Sequence, residues 1–229
     1  MNKVIIFKKI KFYDYSFDLL LKMLNRGGYL VAPAASALTN IDKNLEYYNS
    51  LIKSDIAILD SGFFCILLRI FKKKKVKKFS GYLFLKKFFN LGFKKNIKFF
   101  LVDPSKTDSY INSKYLKSKK IYNFKSYIAP IYAGKIKDKM LLKKINKYKP
   151  KYILINLGGE VQEILAMYIK KNIKFKVSIF CTGAAIAFLT KRQAPINTLI
   201  DKFYMGWILR LIYNPRRHLL RTIKSLYLI

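Results

Sequence analysis

The stretch YILINLGGEVQE, residues 152–163, decides the fold. Its first half is a short apolar run that reads as a buried strand. Gly158-Gly159 then breaks the run as a turn, and a helical pattern begins at Val161. A strand, a glycine turn and a helix in that order form one unit of an α/β chain.

The same alternation recurs on both sides. Gly27-Gly28 leads into a short strand at 29–32, and helical periodicity runs over 34–54 through Leu38, Ile41, Leu45, Tyr48 and Leu51. DIAILD at 55–60 is a second strand, ending on an acid before Ser61-Gly62. Apolar residues 63–71 suit a buried helix, and KKKKVKK at 72–78 suits a solvated face. Further strands are expected at 97–102, 126–131 and 176–181, with Asp103-Pro104-Ser105 as the exit loop of the first. Helices are expected at 107–119, at 137–148 (closed by Pro150) and at 161–171, and Thr182-Gly183 opens a last run, AAIAFL. From Pro195 the pattern is helical with interspersed arginines. The expected architecture is α/β, a Rossmann-like parallel sheet with crossover helices over 1–195, and a helical, basic C-terminal appendage over 196–229.

Composition narrows the partners. A hydrophobic content of 52% with 16% aromatics excludes a disordered chain, despite a formal charge of +34. That charge calls for an anionic partner: nucleic acid, an acidic membrane surface or a phosphorylated substrate. Cys65 and Cys181 both lie in apolar runs, as reduced core residues do. The start, MNKVIIFKK, has too short an apolar run for a secretory signal. No run reaches the roughly 18 apolar residues of a spanning helix. The expectation is a soluble or peripheral protein.

Arginine usage is uneven. Five of the seven arginines, Arg192, Arg210, Arg216, Arg217 and Arg221, lie in the last 38 residues of an otherwise lysine-rich chain. The guanidinium fork grips phosphate and carboxylate in a way a lysine point charge does not. Trp207, Leu209, Leu211, Ile212, Tyr213, Leu219 and Leu220 surround these arginines. Guanidinium, aromatic and aliphatic groups together suit an anionic lipid head group.

Ligands of an open parallel sheet bind beyond the carboxyl ends of its strands. Asp60, the segment Gly158–Glu163 and Thr182-Gly183 all fall there. Asp60 fits a general base toward a sugar hydroxyl, and equally an N-cap for the apolar helix that follows. Gly158-Gly159 fits a backbone approach to a diphosphate at a helix N-terminus, and equally an ordinary strand-to-helix turn. Gln162 and Glu163 fit contacts to a sugar or base, and equally a first helical turn. The single histidine, His218, and the two cysteines lack metal-ligand spacing. No Walker A motif or GxGxxG occurs, so no cofactor is expected.

In order and spacing these blocks resemble the WecG/TagA/CpsF glycosyltransferases. The blocks are a strand with APAA, a strand ending on Asp, a Ser-Gly pair, GGEVQE, Arg192-Gln193-Ala194-Pro195, and Trp207 followed by Arg210 and Arg216-Arg217. The resemblance covers roughly residues 28–221. It implies transfer of an N-acetylhexosamine-type sugar from a UDP donor to a polyprenyl-diphosphate-linked sugar. By the same resemblance the transfer inverts the anomeric centre, needs no metal, and occurs at the cytoplasmic face of the cell membrane during surface polysaccharide synthesis. Asp60 then corresponds to the base. Gly62, Lys78, Gly158, Gly159, Gln162, Glu163 and Gly183 fall on the donor side. Arg192, Arg210, Arg216, Arg217 and Arg221 fall in the segment for the lipid diphosphate and an anionic membrane.

The chain departs from the family at several points. Ala32-Pro33-Ala34 replaces the family's Thr-x-Asn, Ser61 is inserted between Asp60 and Gly62, and Lys78 stands for an arginine. An altered donor pocket is the expected consequence. Two other readings remain open at this level: a catalytically inactive membrane scaffold and a nucleic-acid-binding module. Dispersed lysines and the absence of an RNA-binding motif count against nucleic acid. Apolar helical surfaces leave room for a homo-oligomer.

Overall fold

The computed structural model describes residues 2–192 together with Leu219, Ile223, Ser225 and Leu228. The chain opens with strands β1 (Lys3–Phe7) and β2 (Ile10–Asp14), joined through Lys8 and Lys9 at φ 44° and 61°. Two successive left-handed residues make a type I′ hairpin turn, which Asn-Gly ordinarily announces. Lysines in those places carry no such signal, and the hairpin was not among the expected elements. Helix α1 (Phe17–Leu24) follows, its Ser16 hydroxyl accepting the Leu19 N–H.

The alternating part begins with β3 (Gly28–Val31), α2 (Ala35–Leu38), α3 (Leu45–Ile52) and β4 (Ile56–Ala57). Then come α4 (Gly62–Lys72), α5 (Gly81–Phe89), β5 (Phe99–Asp103), α6 (Lys106–Ser118) and β6 (Phe124–Ile128). The described elements finish with α7 (Lys139–Tyr148), β7 (Tyr152–Ile155), α8 (Val161–Asn172), β8 (Ser178–Cys181) and α9 (Ala185–Leu189). The sheet order is β1-β2-β4-β3-β8-β7-β5-β6. Among the described strands only the β1–β2 hairpin is antiparallel; every other neighbouring pair is parallel. A Rossmann-like α/β sheet is therefore what the chain builds.

Two expected elements are corrected and one helix is added. The single helix over 34–54 is two, because Asn44 accepts the Tyr47 N–H and caps a new start at α3. The strand over 55–60 pairs only at Ile56 and Ala57, although Ile58 and Leu59 stay buried. Helix α5 was not expected at all; Ser80 caps it by accepting the Leu83 N–H at 3.1 Å.

Alternate side chains of the central strands feed two cores. Tyr29, Val31, Phe100, Val102, Ile153, Ile155, Ile179 and Cys181 pack under α3, α4, α7 and α8. Leu30, Phe99, Leu101, Tyr152, Leu154 and Phe180 pack under α1, α5, α6 and α9. The second core is aromatic, with Phe88 edge-on to both Tyr152 and Phe180. Strands buried on both faces read as unbroken apolar runs, which is why 152–155 was so legible. Gly28 marks a tight spot: at φ 124° a Cβ would run into the Asp55 carboxylate, which accepts the Tyr29 N–H at 2.8 Å. Both cysteines are free and buried, as expected.

Candidate active site

The carboxyl ends of β3, β4 and β8 converge on the N-terminus of α5. Asp60 leaves the end of β4, and its Oδ1 accepts the Gly81 N–H at 2.7 Å. Ser61, not Asp60, caps α4 by accepting the Phe64 N–H at 3.3 Å. Capping the following helix is thus taken over by the neighbouring serine. The Asp60 carboxylate lies instead at the positive end of α5. A Cβ on Gly81 would stand 3.1 Å from both Thr182 Cβ and Thr182 O, and 3.3 Å from Ala32 Cβ. Glycine is what lets the three loops close around Asp60.

The β8 exit is fixed from below. Gly183 turns at φ 61°, and its N–H donates to Gln162 Oε1 at 2.9 Å. Gln162 Nε2 in turn donates to Glu163 Oε1 at 2.9 Å, and Cys181 Sγ donates to the Gln162 carbonyl at 3.3 Å. Gln162 is 2% exposed and Glu163 is fully buried. Glu163 Oε2 has no hydrogen-bond partner. Burial of this carboxyl pushes its pKa up to about 7, against hydrogen bonds that pull it down. The structure places Gln162 and Glu163 beneath the β8 turn rather than on the rim.

Gly158 and Gly159 are exposed after β7, and a Cβ on Gly158 would meet nothing within 4 Å. The strained residue of this turn is not a glycine. Glu160 holds φ 74° and ψ −54°, a conformation that costs on the order of 1–3 kcal/mol. Its carboxylate accepts from Asn40 Nδ2 at 2.6 Å and Asn44 Nδ2 at 3.2 Å, which pin the turn to the segment between α2 and α3.

A second polar cluster was not singled out in the sequence. Asp103, at the end of β5, is fully buried, and its Oδ1 accepts from Asn112 Nδ2 and Asn156 Nδ2, each at 2.7 Å. Asp103 Oδ2 and Asn156 Oδ1 have no hydrogen-bond partner. Burial raises the Asp103 pKa while the hydrogen-bonding groups of Asn156, Asn112 and Ser109 oppose the rise. The available signal was an acid closing an apolar strand, the pattern that drew attention to Asp60.

Gly62 is the buried first residue of α4, and Lys78 is half-buried within electrostatic reach of the Cys65 thiol. Burial pushes that thiol up to about 12. Arg192 Nη2 pairs with Asp108 Oδ1 at 3.4 Å, beside the first turn of α6. Arg210, Arg216, Arg217 and Arg221 lie outside the described residues, as does the expected boundary at 195 and 196. Leu228 is buried in the first of the two cores.

Among the described residues, no group of three or more His, Cys, Asp or Glu could hold a metal ion. No helix among them is long and apolar enough to cross a membrane. A cavity of about 380 Å³ opens at the amino ends of β7 and β8, bordered by Lys149, Lys151 and Lys176. It lies at the opposite ends of the strands from Asp60.

No curated protein matches the chain. A sequence model of the glycosyl transferase WecG/TagA/CpsF family matches residues 6–229, and the chain belongs to that family.

Proposed function

We propose that this family member moves an N-acetylhexosamine-type sugar from a UDP donor to a polyprenyl-diphosphate-linked sugar, inverting the anomeric centre without a metal. The acceptor hydroxyl gives its proton to Asp60 as its oxygen attacks the anomeric carbon. The bond from that carbon to the β-phosphate oxygen breaks, and UDP leaves. Gly62, Lys78, Gly158, Gly159 and Gly183 border the donor, with Gln162 and Glu163 holding the Gly183 turn in place. Backbone amides and cationic side chains stabilise the departing diphosphate. Arg192, Arg210, Arg216, Arg217 and Arg221 hold the acceptor's diphosphate at an anionic membrane, on the cytoplasmic face. Ala32 borders Gly81 where the family carries a polar group, so the donor pocket has fewer hydrogen-bonding partners and a distinct sugar preference.

The observation that carries this reading is Asp60 held by the Gly81 N–H at the carboxyl end of a parallel sheet. Gly81 also stands against the Thr182-Gly183 turn that Gln162 fixes. A carboxylate at the tip of a parallel strand, where sheet ligands bind, suits a general base toward an acceptor hydroxyl. Purified full-length chain, supplied with a panel of UDP-N-acetylhexosamines and a short-chain polyprenyl-diphosphate sugar, should form a disaccharide product with or without a chelator. Failure to form product with any donor, by a folded protein that still binds vesicles, would return the chain to the scaffold reading.

A further inference from the structure

We infer that the end of α4 and the lysine loop behind it form a second membrane-docking element, built to seat on an anionic lipid surface independently of the arginine-rich C-terminal segment. The inference rests on the membrane-face reading above and adds a surface to it. Sequence alone assigned residues 72–78 to a solvated face. The structure adds two large apolar side chains at its edge. Ile70 is 64% and Phe71 61% exposed, side by side at the end of α4, and Lys72, Lys73, Lys74 and Lys75 are all exposed directly after them.

The loop is fixed rather than trailing. Lys73 turns left-handed at φ 49°, and the N–H groups of Lys73 and Lys74 both return to the Leu68 carbonyl. Arg69 then bridges the two limbs, donating from Nε at 3.2 Å and Nη2 at 2.6 Å to the Val76 carbonyl. Val76 itself is 4% exposed and packs in the core. The bracket spends Arg69 inward and leaves Ile70, Phe71 and four lysines outward. Apolar residues that sink into the acyl boundary beside cations that stay with the head groups are what an interfacial element requires.

Other partners fit less well. A nucleic-acid backbone would use the lysines and leave Ile70 in water. A second copy on the same patch would set two runs of four lysines against each other. An anionic bilayer satisfies both halves of the surface.

The placement bears on the chemistry. Helix α4 starts one residue after Ser61 and spans about 16 Å at the usual rise. The return limb runs from Val76 to Phe79, whose N–H donates to the Leu59 carbonyl, and on to Gly81 at Asp60. The loop therefore stands about 16 Å along α4 from Ser61 and is tied back to the Asp60 rim through Phe79 and Gly81.

The test is flotation of the full-length chain with phosphatidylcholine vesicles, with and without phosphatidylglycerol, for a Phe71→Trp protein, for each loop variant combined with the arginine pair, and for four principal proteins. These are wild type, Ile70→Ser with Phe71→Ser, Lys72→Gln with Lys74→Gln and Lys75→Gln, and Arg216→Ala with Arg217→Ala. The lysine variant should lose about fivefold per lysine on anionic vesicles, and lose part of the salt dependence. The serine pair should bind at least tenfold more weakly, and Phe71→Trp should retain wild-type binding. Each loss should persist in the arginine-variant background. Thermal melting checks that these exposed substitutions leave the fold intact. Serine and lysine variants of the loop that bind anionic vesicles like wild type, or lose affinity only for nucleic acid, would overturn the inference. Transfer to a short-chain acceptor without vesicles should be unchanged in these loop variants, so a failed glycosyltransfer assay would strike the proposed function and leave the docking result standing.

Discussion

Asp60 and Gly81 are joined by a 2.7 Å hydrogen bond in which the carboxylate accepts the first amide of α5. The bond closes the loop formed by α4 and its return limb, within the single connection from β4 to β5. It fixes the acid over a helix N-terminus while a second contact, Gly81 against Thr182, brings the β8 turn alongside. Asp60→Asn keeps an acceptor oxygen for the Gly81 N–H but cannot take a proton. Turnover with UDP-sugar and a short-chain acceptor should fall about 100- to 10,000-fold, with an unchanged melting temperature. Unchanged turnover would remove Asp60 from the base role.

Gly81→Ala should cost stability and activity together. Its Cβ would press on Thr182 O and Cβ at 3.1 Å, and backbone cannot move aside as a flexible side chain can. Overpacking of this kind costs about 1–3 kcal/mol. Denaturant titration should show the loss, and turnover should drop because the Asp60 tether shifts. A melting temperature equal to wild type would mean that the loops around Asp60 are looser than described.

Glu163 sets a pH dependence. Its carboxyl sits at about 7 in the folded protein against an ordinary 4.5 when unfolded, with burial as the main cause. Below about pH 4.5 both states are protonated and the folded state keeps its full stability. As pH rises toward 7 the unfolded chain releases the proton first, and stability falls. Glu163→Gln removes this loss, so the variant should gain on the order of 3 kcal/mol relative to wild type between pH 4.5 and pH 8. Parallel denaturation curves at the two pH values check it; a constant difference would contradict a buried, titrating Glu163.

Arg216→Ala with Arg217→Ala should weaken binding to anionic vesicles and to the polyprenyl-diphosphate acceptor by roughly thirtyfold. UDP-sugar affinity, read by calorimetry, should not change. An equal fall in donor affinity would contradict a clamp dedicated to the lipid diphosphate.

Much of the sheet was legible because its central strands are buried on both faces. Residues such as Tyr152 to Ile155 and Phe99 to Val102 have no exposed position to interrupt the apolar run. The β1–β2 hairpin was not legible, since its turn uses Lys8 and Lys9 where glycine or asparagine would have signalled it. Helix α5 hid among lysines and phenylalanines, which suit helix and strand alike. The strain at Glu160 was misdirected in the sequence toward its two glycine neighbours. Glu160 is held in that geometry by Asn40 and Asn44, over 100 residues away, which donate to its carboxylate.

Sequence by itself determined the α/β class, the family and the set of acids and glycines at strand ends, because apolar periodicity and turn residues are local properties. The tertiary structure alone decided which of those residues meet. Asp60 pairs with Gly81 instead of capping its own helix, Gln162 and Glu163 lie under the Gly183 turn, and Asp103 gathers Asn112 and Asn156. Such pairings depend on strand order, and parallel strands place residues side by side that the chain separates by a full crossover or more.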